Sequence, residues 1–131
     1  MIKPPKNTKV MDWASSTFWF DETGIVCSIS KKSAPQTLTE VKEILATFRG
    51  MIGDKKICLL ADATNSPEST KEVRDYVAVE FPKFIKAIAI LSDSSLGIML
   101  ANLFFKLKTQ PYPTKMFNNE IEAKEWLQQF L

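Results

Sequence analysis

Residues 57–62 read Ile-Cys-Leu-Leu-Ala-Asp, five apolar positions in a row before the first acid, with Lys55 and Lys56 just ahead of them. A strand with one wet face alternates apolar and polar residues. A short uninterrupted apolar run instead fits a strand covered on both faces, as in a parallel sheet enclosed by helices. Residues 87–92, AIAILS, repeat that character. Two such strands, over about Lys56–Asp62 and Ala87–Ser92, leave room between them for a helix, and a strand-helix-strand unit is the simplest reading.

Working outward, a helix follows SPEST (66–70), with Val73, Tyr76, Val77 and Phe81 on one face and Lys71, Glu72, Arg74 and Asp75 largely on the other, until Pro82 stops or kinks it. Ser69 with Glu72 reads as its capping box, and Pro67 fits the first turn. Upstream, Thr37 and Glu40 form the same pattern ahead of the stripe Leu38, Val41, Ile44, Leu45 and Phe48, which Gly50 is expected to end. Before that, STFWFD (16–21) and GIVCSISK (24–31) flank Glu22-Thr23, and Gly24 supplies turn freedom for an antiparallel hairpin. Phe18 and Phe20 share one face of it, and Ile25, Cys27 and Ile29 share the other. Downstream, SDSSLGIMLANLFFKLK (92–108) is a helix with no charge between Ser94 and Phe105. After Pro111 and Pro113, TKMF (114–117) forms a short strand, and Asn119 with Glu122 starts a closing helix holding Trp126, Leu127, Phe130 and Leu131. The order β-β-α-β-α-β-α-β-α predicts an α/β domain: a mixed five-stranded sheet, made of an N-terminal antiparallel hairpin plus parallel β-α-β units and covered by four helices. Residues 1–14, with two prolines, several lysines and no periodicity, are expected to be a flexible or loosely packed arm, and 15–131 the folded domain.

The 131 residues suit one core, and 45% hydrophobic content with three Trp, nine Phe and two Tyr marks a globular protein. A net charge of +2 provides no field to recruit nucleic acid or an anionic membrane. The polar N-terminus MIKPPKNTKVMDW resembles no secretory signal, and no run approaches the roughly 18 apolar residues of a membrane span, so a cytoplasmic protein is expected. Cys27 and Cys58, each inside an apolar run, read as reduced core thiols. The chain has no histidine, which removes His-based triads, metal sites and phosphorelays, and two distant cysteines do not make a structural zinc site.

The element order and lengths resemble the STAS-like fold of sporulation-type (SpoIIAA-like) anti-sigma factor antagonists, a fold related to that of CRAL-TRIO lipid-transfer proteins. The likeness is carried by KEVRDYVAVEFPKFIKAIAILSDSS (71–95), LANLFFKLK (100–108) and above all PYPTKMFNNEIEAKEWLQQFL (111–131), and it spans roughly 16–131. In those antagonists, the resemblance implies, a phosphorylatable Ser lies between the third strand and the second helix. The Asp-Ser-Ser of SDSSLG (92–97) follows the fourth strand instead, so Asp93, Ser94 or Ser95 is read as a helix cap. The equivalent stretch is DATNSPESTKE (62–72), where Ser66 and Ser69 are the candidate phospho-acceptors but no Asp-Ser-Ser-Gly exists.

Asp62 and Asp93, at the carboxyl ends of neighbouring strands, converge with Thr64, Asn65 and Ser94 where open α/β sheets hold ligands; these five are candidate contacts for a small anion or polar ligand, weighed against ordinary solvated caps. An acidic pair with Lys115 suggests a receiver-like phosphorelay, which the opening hairpin opposes. No Gly-rich phosphate loop, nucleophile elbow or metal-spaced cluster occurs, so no cofactor is expected and an enzyme is disfavoured. The third helix is too apolar around its circumference for a wet outer face, with Leu96, Ile98, Met99, Leu100, Leu103, Phe104, Phe105 and Leu107. A second copy, the N-terminal arm or an acyl chain would cover the excess, or the closing helix with Trp126 would do so within one chain. Leu100, Phe104 and Phe105 are the candidate interface, and Phe104 and Phe105, adjacent on a helix, cannot both point inward. The functional expectation is a non-enzymatic protein-binding or regulatory module, with a homodimer expected, a lipid or apolar-ligand carrier as the second reading and an aspartate-based phospho-acceptor or enzyme as the third.

Overall fold

A computed structural model describes residues 2–32 and 34–131. The elements follow in the order β1 (Met11–Asp12), β2 (Ser16–Phe20), β3 (Val26–Ser30), α1 (Leu38–Ile52), β4 (Ile57–Asp62), α2 (Lys71–Glu80), β5 (Ile85–Leu91), α3 (Ser95–Leu107), β6 (Thr114–Phe117) and α4 (Glu120–Gln128). The strands lie side by side in chain order, β1 to β6. β1, β2 and β3 are antiparallel, and β3 through β6 are parallel. The α/β expectation holds, with six strands in place of five.

The sixth strand comes from the segment expected to be an arm. Met11 and Asp12 pair with Phe18 and Thr17. Asp12 accepts hydrogen bonds from the Thr17 hydroxyl and the Lys31 ammonium, each at 2.7 Å. Two residues are too few to show a period in the sequence. Nearer the start, Ile2 is only 3% exposed and sits among Trp19, Cys27, Leu60 and Leu127, so the segment expected to be an arm touches the domain at Ile2 as well as at Met11–Asp12, while most of the residues between them are exposed.

The sheet divides the core in two. On one side α1 and α2 press Val41, Ile44, Leu45, Phe48 and Val73 onto Val26, Leu59, Ile85 and Ile88. On the other, α4 presses Ala123 and Leu127 onto Cys27, Leu60, Ala87, Ala89 and Leu91. Neighbours in sequence such as Leu59 and Leu60 therefore serve opposite cores, the physical reason for the continuous apolar run. Phe18 and Phe20 join the α1 side, while Ile25, Cys27 and Ile29 join the α4 side, as the hairpin alternation predicts.

Three local expectations change. Thr37 caps α1 by accepting from the Glu40 N–H, but the Glu40 carboxylate does not reach back to it; it takes the Ser15 backbone N–H at 3.1 Å and the Ser15 hydroxyl. A tertiary pair of donors has replaced the local one. Gly50 stays inside α1, which ends at Gly53, whose φ of 65° is the left-handed geometry that glycine adopts most cheaply. α2 is capped by Thr70, which accepts from Val73 N–H at 3.3 Å, and not by Ser69. Ser94, one of the three candidates, caps α3, and Asn119 caps α4.

Candidate functional site

The carboxyl ends of β4 and β5 lie side by side, with Asp62 opposite Leu91 and the Ala63 N–H donating to the Leu91 carbonyl. This brings the turn 62–65 next to Asp93 and Ser94. The side chains do not share a task. Asp62 is 2% exposed and accepts the Thr64 N–H on one oxygen and the Ile2 N–H on the other, each at 3.0 Å. Burial pushes its carboxyl up, but the hydrogen bonds it accepts outweigh that and hold it below the ordinary carboxylate range. Asp62 is thus an ionised anchor for the N-terminal segment. Asn65, Asp93 and Ser94 are exposed, and the Ser94 hydroxyl accepts from Gly97 N–H at 3.1 Å.

Ser66 is exposed and Ser69 half-buried on the loop ahead of α2. The Ser69 carbonyl accepts a hydrogen bond from the Arg74 guanidinium. Cys27 and Cys58 are buried free thiols; burial pushes Cys27 up to about 12 and raises Cys58 too, so both remain protonated near neutral pH.

α3 lies along the outer edge of β6. The Asn102 side chain accepts from the Met116 N–H at 2.8 Å and donates to the Met116 carbonyl at 3.0 Å, closing the free edge of the sheet. None of the helix's residues is buried. Leu96, Met99, Leu100, Leu103, Phe104 and Leu107 are each 50–80% exposed, whereas Phe105 is half-buried, so the two phenylalanines divide as the 100° step between helical neighbours requires. Cover by α4 is not realised. Trp126 packs instead on Phe117 and Phe130, with ring centroids 5.8 and 5.0 Å away.

A second feature was not anticipated. Between α1 and the sheet lies a cavity of about 170 Å³, lined mainly by apolar side chains including Leu45, Phe48 and Phe84, with Ser16, Ser28, Ser30 and Gln36 at one end. The signal was present in the sequence as an interruption of alternation: Ser28 and Ser30 occupy the same face of β3 as Val26, and Ser16 the same face of β2 as Phe18. Hydroxyls there were due to point at a core. Among the described residues no group of three or more His, Cys, Asp and Glu is placed to hold a metal ion, and no helix is long and apolar enough to cross a membrane.

The chain belongs to the family of the domain of unknown function DUF7793, whose model matches residues 18–131. No curated protein matches the sequence. Among solved structures it is similar to an uncharacterised protein of the DUF3478 family with a SpoIIAA-like fold from Shewanella loihica PV-4, at 14% identity and a TM-score of 0.60, covering 92% of this chain and 91% of that one. That likeness shows a SpoIIAA-like fold. A protein of unknown function from Arthrobacter sp. FB24 aligns at 24% identity and a TM-score of 0.29, over 86% of this chain and 92% of that one.

Proposed function

We propose that this member of the DUF7793 family is a non-enzymatic binding module that acts through self-association, two copies meeting across α3. The observation that carries the reading is the exposed face of that helix. Leu96, Leu100, Leu103 and Leu107 follow one another at steps of four, three and four residues, the spacing of a seam that packs on a second helix. With Met99 and Phe104 they expose on the order of 700 Å² per copy, beyond the range of about 300–600 Å² for the largest patch of an ordinary monomer. Two such faces together exceed the roughly 1,000 Å² that a specific interface needs.

The charges at the helix ends favour an antiparallel, two-fold arrangement. Asp93 precedes α3 and Lys106 and Lys108 close it, with no other charge along it. Antiparallel packing sets Asp93 of one copy beside the lysines of the other and lays the positive end of each helix dipole beside the negative end of its partner.

Sedimentation velocity of the full chain tests this. Wild type is expected to shift from one copy to two with rising concentration. Phe104→Glu, which places a charge in the seam, is expected to remain a folded monomer, with association weakened at least 30-fold, about 2 kcal/mol. A wild type that stays monomeric at every concentration overturns the proposal, as does a monomer that instead co-sediments with lipid vesicles through α3.

A further inference from the structure

The cavity beneath α1 has features that a packing defect lacks. Its polar end lies at the carboxyl edge of the parallel strands, where Ser16 stands directly opposite Ser30 across the β2–β3 pair. The same Ser16, Ser30 and Gln36 also line a smaller space of about 40 Å³, bounded on its far side by Ser66 and Ser69. The two spaces share these three residues, so the apolar chamber adjoins a small hydroxyl-lined hollow beside the loop between β4 and α2.

Ser16 is 5% exposed, and its hydroxyl has no hydrogen-bond partner among the described residues. Buried polar groups are almost always paired, and an unpaired hydroxyl at the edge of an apolar chamber is a donor and acceptor held ready for something that enters. The lining contains no lysine, arginine, aspartate or glutamate. A carboxylate or ammonium head would therefore be buried without a counter-charge, whereas an uncharged hydroxyl, amide or carbonyl would find its match. Size narrows the class further, since a dry apolar cavity of about 150 Å³ accommodates a benzene molecule.

From these observations we infer that the space between α1 and the sheet is a binding site for a small uncharged amphiphile of about one ring in bulk, its apolar body among Leu45, Phe48 and Phe84 and its single polar group hydrogen-bonded to Ser16. Ser66 and Ser69 of the β4–α2 loop line the small hollow that adjoins the chamber.

The experiment uses three probes of one shape: benzyl alcohol, toluene and benzoate, titrated into the ¹⁵N-labelled full chain while amide shifts are followed by NMR. An ordinary apolar cavity prefers toluene, because it need not dehydrate a hydroxyl. Here benzyl alcohol is expected to bind more tightly than toluene and benzoate not at all, with shifts centred on residues 16, 28, 30 and 45. In Ser16→Ala the preference for the alcohol over toluene is expected to fall about ten-fold, while the unbound spectrum stays folded. Ala61→Leu, which fills the chamber, is expected to abolish both; it serves as the second test should Ser16→Ala fold poorly. The site is overturned if neither neutral probe binds up to its solubility, if the shifts map elsewhere, if benzoate binds as well as the alcohol, or if Ser16→Ala leaves the ratio unchanged.

Discussion

Helices α3 and α4 reverse what their compositions suggest. α3 spans 13 residues with no charge before Lys106, yet buries none of them. α4 spans nine, four of them charged, yet its Ala123 and Leu127 are completely buried against the sheet. Burial follows the placement of apolar residues and the surface available to receive them, not their number. α4 has one narrow apolar stripe, and an open sheet face fits it. α3 reaches its strand at the edge, where only a narrow contact and the Asn102 amide hold it. A helix can be the most apolar in the chain and still face outward when the sheet has no face left for it.

The largest way to break this comparison is at Leu127. Leu127→Ala is expected to destabilise the domain by about 2–5 kcal/mol in urea unfolding, because it opens a cavity in a fully closed core. A cost below about 1 kcal/mol would mean that α4 is not the anchor.

The same core is reached from the N-terminal segment through Asp62, so Asp62→Asn is expected to cost about 1.5–3 kcal/mol at neutral pH, the range for hydrogen bonds to a charged group. The folded-state pKa of Asp62 lies below its unfolded value, so the native state binds the proton less tightly. Its stabilisation is therefore complete above the unfolded pKa of about 3.9 and disappears as pH falls through the folded value. The gap between wild type and Asp62→Asn in acid unfolding curves should close below about pH 4 and stay constant above about pH 5.5. A gap that widened in acid would remove Asp62 as an ionised anchor.

A smaller effect is expected where α3 holds the edge. Asn102→Ala leaves the Met116 N–H and carbonyl without their partner, a loss of about 1–2 kcal/mol, and hydrogen exchange at the Met116 amide should accelerate more than at Ile90, inside the sheet. Equal acceleration at both would show that Asn102 supports the whole sheet and not its edge alone.

The smallest effect sharpens the contrast most. Phe104→Glu, measured at concentrations where wild type is monomeric, is expected to change stability by no more than about 0.5 kcal/mol, since the residue is half exposed and faces away from the core. Phe105→Ala, on the half-buried neighbour, is expected to cost more than Phe104→Glu. Equal losses at both positions would return α3 to the core and remove the proposed seam.

Much of this fold was legible in the residues themselves. The apolar runs 57–61 and 87–91 set the central parallel strands, Phe18 and Phe20 against Ile25, Cys27 and Ile29 set the two faces of the hairpin, and Thr37, Ser94 and Asn119 start three of the four helices. These signals are local, written in periods of two or 3.6 residues and in cap chemistry that acts across a single turn. The sequence also showed that α3 carries more apolar surface than one face can hide. It did not show that Glu40, Asp62 and Asn102 would be partnered by residues 15, 2 and 116, which are brought near them only by the assembled fold. Strand β1 was hidden for the same reason: its two residues carry no period and become a strand only because β2 offers an edge. The cavity belongs to tertiary structure most completely. Serines 16, 28 and 30 were visible as letters, but whether α1 would pack down on them or leave a chamber depends on how a rigid helix and a twisted sheet meet across several side-chain volumes.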